Sequence, residues 1–404
     1  MKIAEELKAH GQEHLMDFEG LTTSEERAYL DQLASIDWKV VETWKKPEDL
    51  SGKGEIKPIK GITLKEIEKR SAEFRALGVE AIRKGKVAAV LLAGGQGTRL
   101  GSDAPKGVYD IGITRPVYIF ERLIENLTDV CNACMATVPL YIMTSDKNDA
   151  DTRAFFKAHD YFGYPEAYIK FFKQDMAPSV GFDGKLLREG RGRLALSPNG
   201  NGGWYSSLIK AGLDRDMKKR GVEWINVFAV DNVLQRIADP LFVGATIASG
   251  MKSGAKVVRK VSPEEKVGVL CLEDGLPGVI EYYDIDESRA NLRDENGELV
   301  YSWGVILNYL FHAERLEEIA RERIPVHVVK KKIPYLDENG VLVIPEKENG
   351  YKFETLILDM IRLMGTCLPF EVAREKEFAP IKNKTGVDSV ESARELLIKN
   401  GVQL

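Results

Sequence analysis

The densest run of chemistry-bearing residues is Leu92-Ala93-Gly94-Gly95-Gln96-Gly97-Thr98-Arg99-Leu100-Gly101, followed closely by Pro105-Lys106-Gly107. Glycines let a main chain come close to an anion and adopt positive φ, so that N–H groups can point at phosphate oxygens. Arg99 adds a planar fork of donors and Lys106 a compact point charge. The combination suits a polyphosphate. It is not a Walker A loop, which requires G-x-x-x-x-G-K-[ST]. Nor is it a dinucleotide fingerprint: counted from Gly95 and Gly97, the third glycine would fall on Leu100.

A second feature is Asp231, which follows the apolar run Trp224–Val230. A carboxylate delivered by a buried strand can hold Mg²⁺ together with substrate phosphates. No Ser/His/Asp or Cys/His set suggests covalent catalysis. Cys131 and Cys134 form a C-x-x-C without a second pair, and Cys271 and Cys367 stand apart, so reduced thiols are expected. His10 and His14 share a helical face but have no third ligand in register, which favours surface histidines over a metal pair.

The elements that must position these residues follow from periodicity. Residues 1–45 read as amphipathic helices, Lys46–Gly61 as a polar connector and Thr63–Lys84 as a helix. From Lys86 onward, short apolar runs at Val87–Leu92, Leu140–Thr144, Tyr168–Phe172 and Trp224–Val230 alternate with helical stretches at Ile119–Leu127, Asp149–Ala158 and Trp204–Lys219. Such alternation predicts parallel strands covered on both faces, an α/β doubly wound mixed sheet of Rossmann-like type. Ligands of such sheets bind beyond the carboxyl ends of the strands, where the glycine-rich run and Asp231 both fall. Val267–Leu272 and Gly278–Tyr283 predict a hairpin around Glu273-Asp274-Gly275. Helices are expected at Lys352–Met364 and Val390–Lys399. The expected division is an N-terminal helical region (1–84), a catalytic domain (85–383) and a short C-terminal helix (384–404).

Bulk properties narrow the function. The 404 residues are 44% hydrophobic and 29% charged, ordinary for a soluble protein. A net charge of −5 argues against broad nucleic-acid binding. No apolar run approaches the roughly 20 residues that span a bilayer, and the acidic N-terminus does not read as a signal peptide. The expected compartment is the cytoplasm.

The string LLAGGQGTRLGSDAPKG closely resembles the signature loop of the eukaryotic-type UDP-sugar pyrophosphorylases. The resemblance runs in order from the N-terminal helices to about residue 400. It implies a nucleotidyltransferase fold, related to that of glycosyltransferase-A enzymes. The implied reaction joins UTP and a sugar 1-phosphate to give a UDP-sugar and pyrophosphate, with Mg²⁺ as cofactor. It further implies that Leu92, Ala93, Gly94 and Gly95 bind the nucleotide while Arg99 and Lys106 neutralise phosphates. Phe171-Phe172-Lys173-Gln174 resembles the segment whose glutamine reads uracil, a task suited to an amide that donates and accepts. Ser197-Pro198-Asn199-Gly200-Asn201-Gly202-Gly203-Trp204-Tyr205 resembles P-D-G-N-G-G-x-Y, which places Pro198 and Gly200 at the base and Asn201 at the sugar. Asp231 matches the family's metal aspartate, Glu281 its sugar-hydroxyl glutamate, and Lys382 the lysine that reaches the sugar phosphate.

This sequence departs from the family at the sugar. An asparagine of the family's F-N-A-G-N-I-A-N-H becomes Val305, and two pocket phenylalanines become Leu356 and Leu358. Loss of a polar contact to a hydroxyl changes discrimination. The sugar is therefore expected to be N-acetylglucosamine 1-phosphate or glucose 1-phosphate, with galactose 1-phosphate also open. The resemblance also implies that residues 384–404 stand in place of a longer C-terminal module. Two other readings remain at this stage: a catalytically silent UDP-sugar-binding protein, and a nucleotide-sugar glycosyltransferase. The second would normally carry D-x-D, and Asp231-Asn232-Val233 lacks the second acid.

Overall fold

The computed structural model describes residues 2–45, 54–322 and 324–404. They form two compact units, each assembled from separated stretches of chain. The larger comprises Ser51–Gln174, Trp204–Arg323 and Leu358–Leu404; the smaller comprises Met1–Leu50, Asp175–Gly203 and Ile324–Ile357. These units cut across the expected division into 1–84, 85–383 and 384–404. Residues 54–84 pack with the larger unit, and the C-terminal helix Val390–Lys399 buries Val390, Ala393 and Leu397 in that unit's core. Of the predicted connector Lys46–Gly61, residues 46–53 lie outside the described residues, and Ile56–Pro58 forms a strand.

The larger unit is built on a ten-stranded mixed sheet. Its strands are β1 (Ile56–Pro58), β2 (Val87–Leu92), β3 (Leu140–Thr144), β4 (Ile169–Lys173), β5 (Trp224–Ala229), β6 (Ser253–Arg259), β7 (Val269–Glu273), β8 (Leu276–Ile280), β9 (Trp303–His312) and β10 (Leu368–Glu371). The order β1-β7-β9-β5-β2-β3-β4 is extended by β6, which pairs with β9 and β10, and by β8, which pairs with β7. β5, β2, β3 and β4 are mutually parallel, whereas β9 runs antiparallel to β5. All residues of β2, β3 and β5 are buried, as strands covered on both faces require. The chain adds β3 and β4 on one side of β2 and then returns to add β5 on the other. The carboxyl ends of β2 and β5 therefore flank a topological switch point.

The smaller unit gathers the helices Lys2–Ala9, Thr23–Ala34 and Trp38–Val41 around short antiparallel strands. Its core includes Leu7, Leu15, Tyr29, Leu33, Val180 and Phe353.

Three predicted helices differ in detail. Thr63–Lys84 is two helices, Leu64–Lys69 and Ser71–Arg83, broken at Arg70 (φ −105°). Trp204–Lys219 is broken at Gly212, whose φ of +73° no regular helix accommodates. Lys352–Met364 is a strand, Gly350–Glu354, followed by the helix Ile357–Leu363. Tertiary pairing overrides the local pattern here, because Gly350–Glu354 lines up antiparallel with His327–Lys331. The predicted hairpin is present, with Asp274 and Gly275 both at positive φ in a two-residue turn.

Candidate functional site

The glycine-rich run leaves β2 and folds back on itself. Gly97 N–H donates to the Ala104 carbonyl at 3.0 Å and Lys106 N–H to the Gly95 carbonyl at 3.2 Å. Of Gly94, Gly95, Gly97 and Gly101, only Gly101 adopts positive φ (+70°). Gly94 and Gly97 serve close approach rather than an unusual dihedral. A Cβ on Gly94 would lie 2.9 Å from Gln174 Oε1, so the glutamine amide rests against the loop. A Cβ on Gly95 would meet nothing within 4 Å, leaving that face open. Asn148, fully buried, steadies the loop from below: its amide donates to the carbonyls of Ala93 (2.9 Å) and Gly95 (3.3 Å) and accepts from Ser145 N–H (2.7 Å). Leu92 and Ala93 are themselves buried.

Lys106 and Asp231 meet at the switch point. β5 pairs with β2 so that Ala229 lies beside Leu92, and Asp231 emerges two residues later. Lys106 Nζ is 3.9 Å from Asp231 Oδ2. Burial pushes the Lys106 ammonium below the ordinary lysine range; the Asp231 carboxylate opposes this, and the charges of Lys382 and Arg99 add to it. Arg99 is exposed on the single helical turn Thr98–Leu100.

The segment bearing Lys382 is fastened to the same turn. Asn232 donates its amide to the Glu377 carbonyl (2.7 Å) and accepts from Ala379 N–H (2.9 Å), while Ile381 N–H donates to the Asp231 carbonyl (2.8 Å). Glu377 is held from behind by the fully buried Lys256, which also reaches Asp239. Lys382 itself pairs with Asp388 at 2.9 Å.

Glu281 is the first residue after β8, and Val305 lies near the start of β9. They converge on Gly268: a Cβ there would be 3.5 Å from Val305 Cγ2 and 3.7 Å from Glu281 Oε2. Burial raises the Glu281 carboxyl, Asp284 raises it further, and Lys382 counteracts both.

The smaller unit holds Pro198, Gly200, Asn201 and Leu356. Gly200 has φ +85°, and a Cβ on it would stand 2.2 Å from the Thr355 carbonyl oxygen. Thr355 N–H donates to the Asn199 carbonyl (2.8 Å), and Asn201 Oδ1 accepts from Ile357 N–H (3.0 Å). The amide oxygen of Asn201 is thus engaged by the main chain of Ile357. Pro198 is exposed and Leu356 half-buried. The division between the units falls after Ile357, so Leu358, half-buried, counts with the larger one.

Sequence reasoning missed Asn148, Lys256, Asp388 and Lys384. The Lys384 ammonium lies over the glycine loop, 2.8 Å from where a Gly101 Cβ would be. Its only signal in the sequence is its place two residues beyond Lys382.

Comparison with known proteins places the chain in a family. The human UDP-N-acetylhexosamine pyrophosphorylase-like protein 1 is 42% identical over 80% of this chain and 66% of its own length. The UDP-N-acetylglucosamine pyrophosphorylase of Saccharomyces cerevisiae is 39% identical over 82% of this chain and 72% of its own. The chain spans about two thirds of the length of the curated relatives it matches. A crystal structure of the Trypanosoma brucei uridine diphosphate N-acetylglucosamine pyrophosphorylase with an inhibitor superimposes with a TM-score of 0.84, at 28% identity, covering 98% of this chain and 83% of that one. Residues 23–399 match the family described as UTP--glucose-1-phosphate uridylyltransferase. With a glycine loop and a strand-end aspartate meeting at the switch point of its sheet, the chain belongs to that family.

Proposed function

We propose that this protein is a UTP-dependent uridylyltransferase that makes a UDP-sugar and pyrophosphate from UTP and a sugar 1-phosphate. The observation that carries the reading is the convergence of the open glycine loop, Lys106 and Asp231 at one switch point, with the Lys382 segment bonded to the same turn. An oxygen of the sugar phosphate attacks the α-phosphorus of UTP in line; a new P–O bond forms as the bond to the departing pyrophosphate breaks. Both reactants are anions, so the protein's work is positioning and charge neutralisation. Lys106 and Arg99 face the triphosphate, Lys382 the sugar phosphate, and Gln174 the uracil, with Leu92, Ala93, Gly94 and Gly95 around the nucleotide; Pro198 and Gly200 are assigned to the base by the family resemblance. Glu281, Asn201, Val305, Leu356 and Leu358 belong to the sugar side.

The donor set fits a cation that arrives with phosphates. Among the described residues no group of three or more His, Cys, Asp or Glu is placed to hold an ion. One partly exposed carboxylate beside a phosphate loop matches Mg²⁺, which completes its shell with phosphate oxygens and water. Asp231 would hold it, and the bound ion would offset charge on the triphosphate. We assign N-acetylglucosamine 1-phosphate or glucose 1-phosphate as the acceptor; the relatives' names favour the first, and the apolar Val305 beside Glu281 admits the second. Among the described residues no helix is long and apolar enough to cross a membrane, which is compatible with action in the cytoplasm.

The test is pyrophosphate release from the full chain with Mg²⁺, UTP and a panel of sugar 1-phosphates. Release with one or both acceptors is expected. No release with any of them overturns the proposal, and tight UDP-sugar binding without turnover would make the protein a silent binder.

A further inference from the structure

We infer that Asp388 is a positioning residue that holds Lys382 at the sugar-phosphate end. The inference rests on the proposed role of Lys382. Two bonds join the two residues, and a third ties the neighbouring Asn383 to Asp388. Asp388 Oδ2 accepts from Lys382 Nζ at 2.9 Å, and its carbonyl accepts from the main-chain N–H groups of Lys382 (2.6 Å) and Asn383 (3.1 Å). Residues 382–388 thus form a closed loop with both the backbone and the ammonium of Lys382 tied to one residue.

Asp388 is itself well anchored. Its φ of +54° lies in the left-handed region, where aspartate is among the more tolerant side chains. The next residue, Ser389, is fully buried and caps the helix Val390–Lys399, accepting from Ser392 N–H at 3.2 Å. That helix is in turn packed into the core through Val390, Ala393 and Leu397. The Lys382 side chain remains 38% exposed, and an unrestrained lysine of that exposure would sweep through many rotamers. One ammonium N–H spent on Asp388 leaves two to donate. The carboxylate also offsets part of the repulsion between Lys382 and Lys106, which affect one another electrostatically. A point charge assists transfer only when it is held where the phosphate will be.

The partly exposed pair contributes little to stability, so Asp388→Asn is expected to fold. With UTP saturating, this variant should raise KM for the sugar 1-phosphate about fivefold or more while KM for UTP moves less than about twofold. Asp388→Glu should recover most of the loss. In a Lys382→Ala background, Asp388→Asn should add less than about twofold, because both changes act through one ammonium. An effect of full size in that background, or an equal rise in both KM values, overturns the inference. A second readout needs no turnover: limited amine acetylation read by peptide mass spectrometry. Lys382 should label about threefold faster in Asp388→Asn than in the unaltered protein, relative to Lys399. Equal labelling overturns the inference as well. If the unaltered protein releases no pyrophosphate, the functional proposal fails, and labelling alone still decides whether Asp388 restrains Lys382.

Discussion

Two glycine-rich loops carry much of this protein's sequence signature, and they use glycine for opposite purposes. In the larger unit, Gly94, Gly95 and Gly97 keep ordinary φ, and the Cβ side of Gly95 is empty. In the smaller unit, Gly200 requires φ +85°, and a Cβ at Gly200, Gly202 or Gly203 would run into Thr355, Leu356 or Asn199. The first loop leaves room for a ligand. The second is filled by its own chain. Similar composition therefore does not imply similar packing, and the two loops should answer substitution differently.

The largest expected effect lies in the open loop. Lys106→Ala should lower the rate of the proposed transfer at least about 100-fold, as expected for removing one preorganised charge contact, with little loss of stability. Steady-state pyrophosphate release checks this, and near-normal activity would show that the lysine is misassigned. Next comes the contrast itself. Gly200→Ala should destabilise the fold by about 1–3 kcal/mol, because both its dihedral and its space are refused. Gly95→Ala should leave the midpoint of denaturation unchanged while weakening UTP binding about tenfold, since a methyl would occupy the open face proposed to receive phosphate. Denaturant melts and nucleotide titration on the two variants decide it; equal destabilisation would erase the distinction between the loops.

A comparable cost is expected behind the open loop. Asn148→Ala leaves the Ala93 and Gly95 carbonyls and the Ser145 N–H without their partner, which should cost about 1–3 kcal/mol. The smallest expected effect is on pH dependence. Because burial places the Lys106 proton below the ordinary lysine range, activity should fall on the alkaline side earlier than an unperturbed lysine would dictate. Asp231 works to raise that value, so in the protein without nucleotide or metal Asp231→Asn should move the pH at which Lys106 becomes reactive to amine labelling further down. An upward move would contradict the sign of their coupling.

Much of the framework around the candidate site could be read from the chain alone. The runs Val87–Leu92 and Trp224–Val230 were legible as buried strands because continuous apolar stretches bounded by turn residues have few other homes. The residues just beyond them were legible because strand ends are where such sheets bind. Asn148 and Asp388 were not. An asparagine that braces two carbonyls and an aspartate that closes a loop look like any other polar residue until the partners are known. Lys352–Met364 was misread for a related reason: Gly350–Glu354 is a strand only because His327–Lys331 arrives to pair with it.

By itself the sequence determined the mixed α/β sheet and singled out the segment from Leu92 to Lys106 and Asp231 as candidates, while Lys382 was marked only by the family resemblance. The sheet and the loop are local properties, carried by periodicity, glycine content and charge over a few neighbouring residues. Tertiary structure alone decided that Lys106 meets Asp231, that Gln174 rests on Gly94, and that Lys382 is held by Asp388. Each of those pairings depends on the register of β2 against β5, on the order of strands, or on where a terminal helix docks. Such features are set by packing over the whole core and leave no mark on the residues that finally touch.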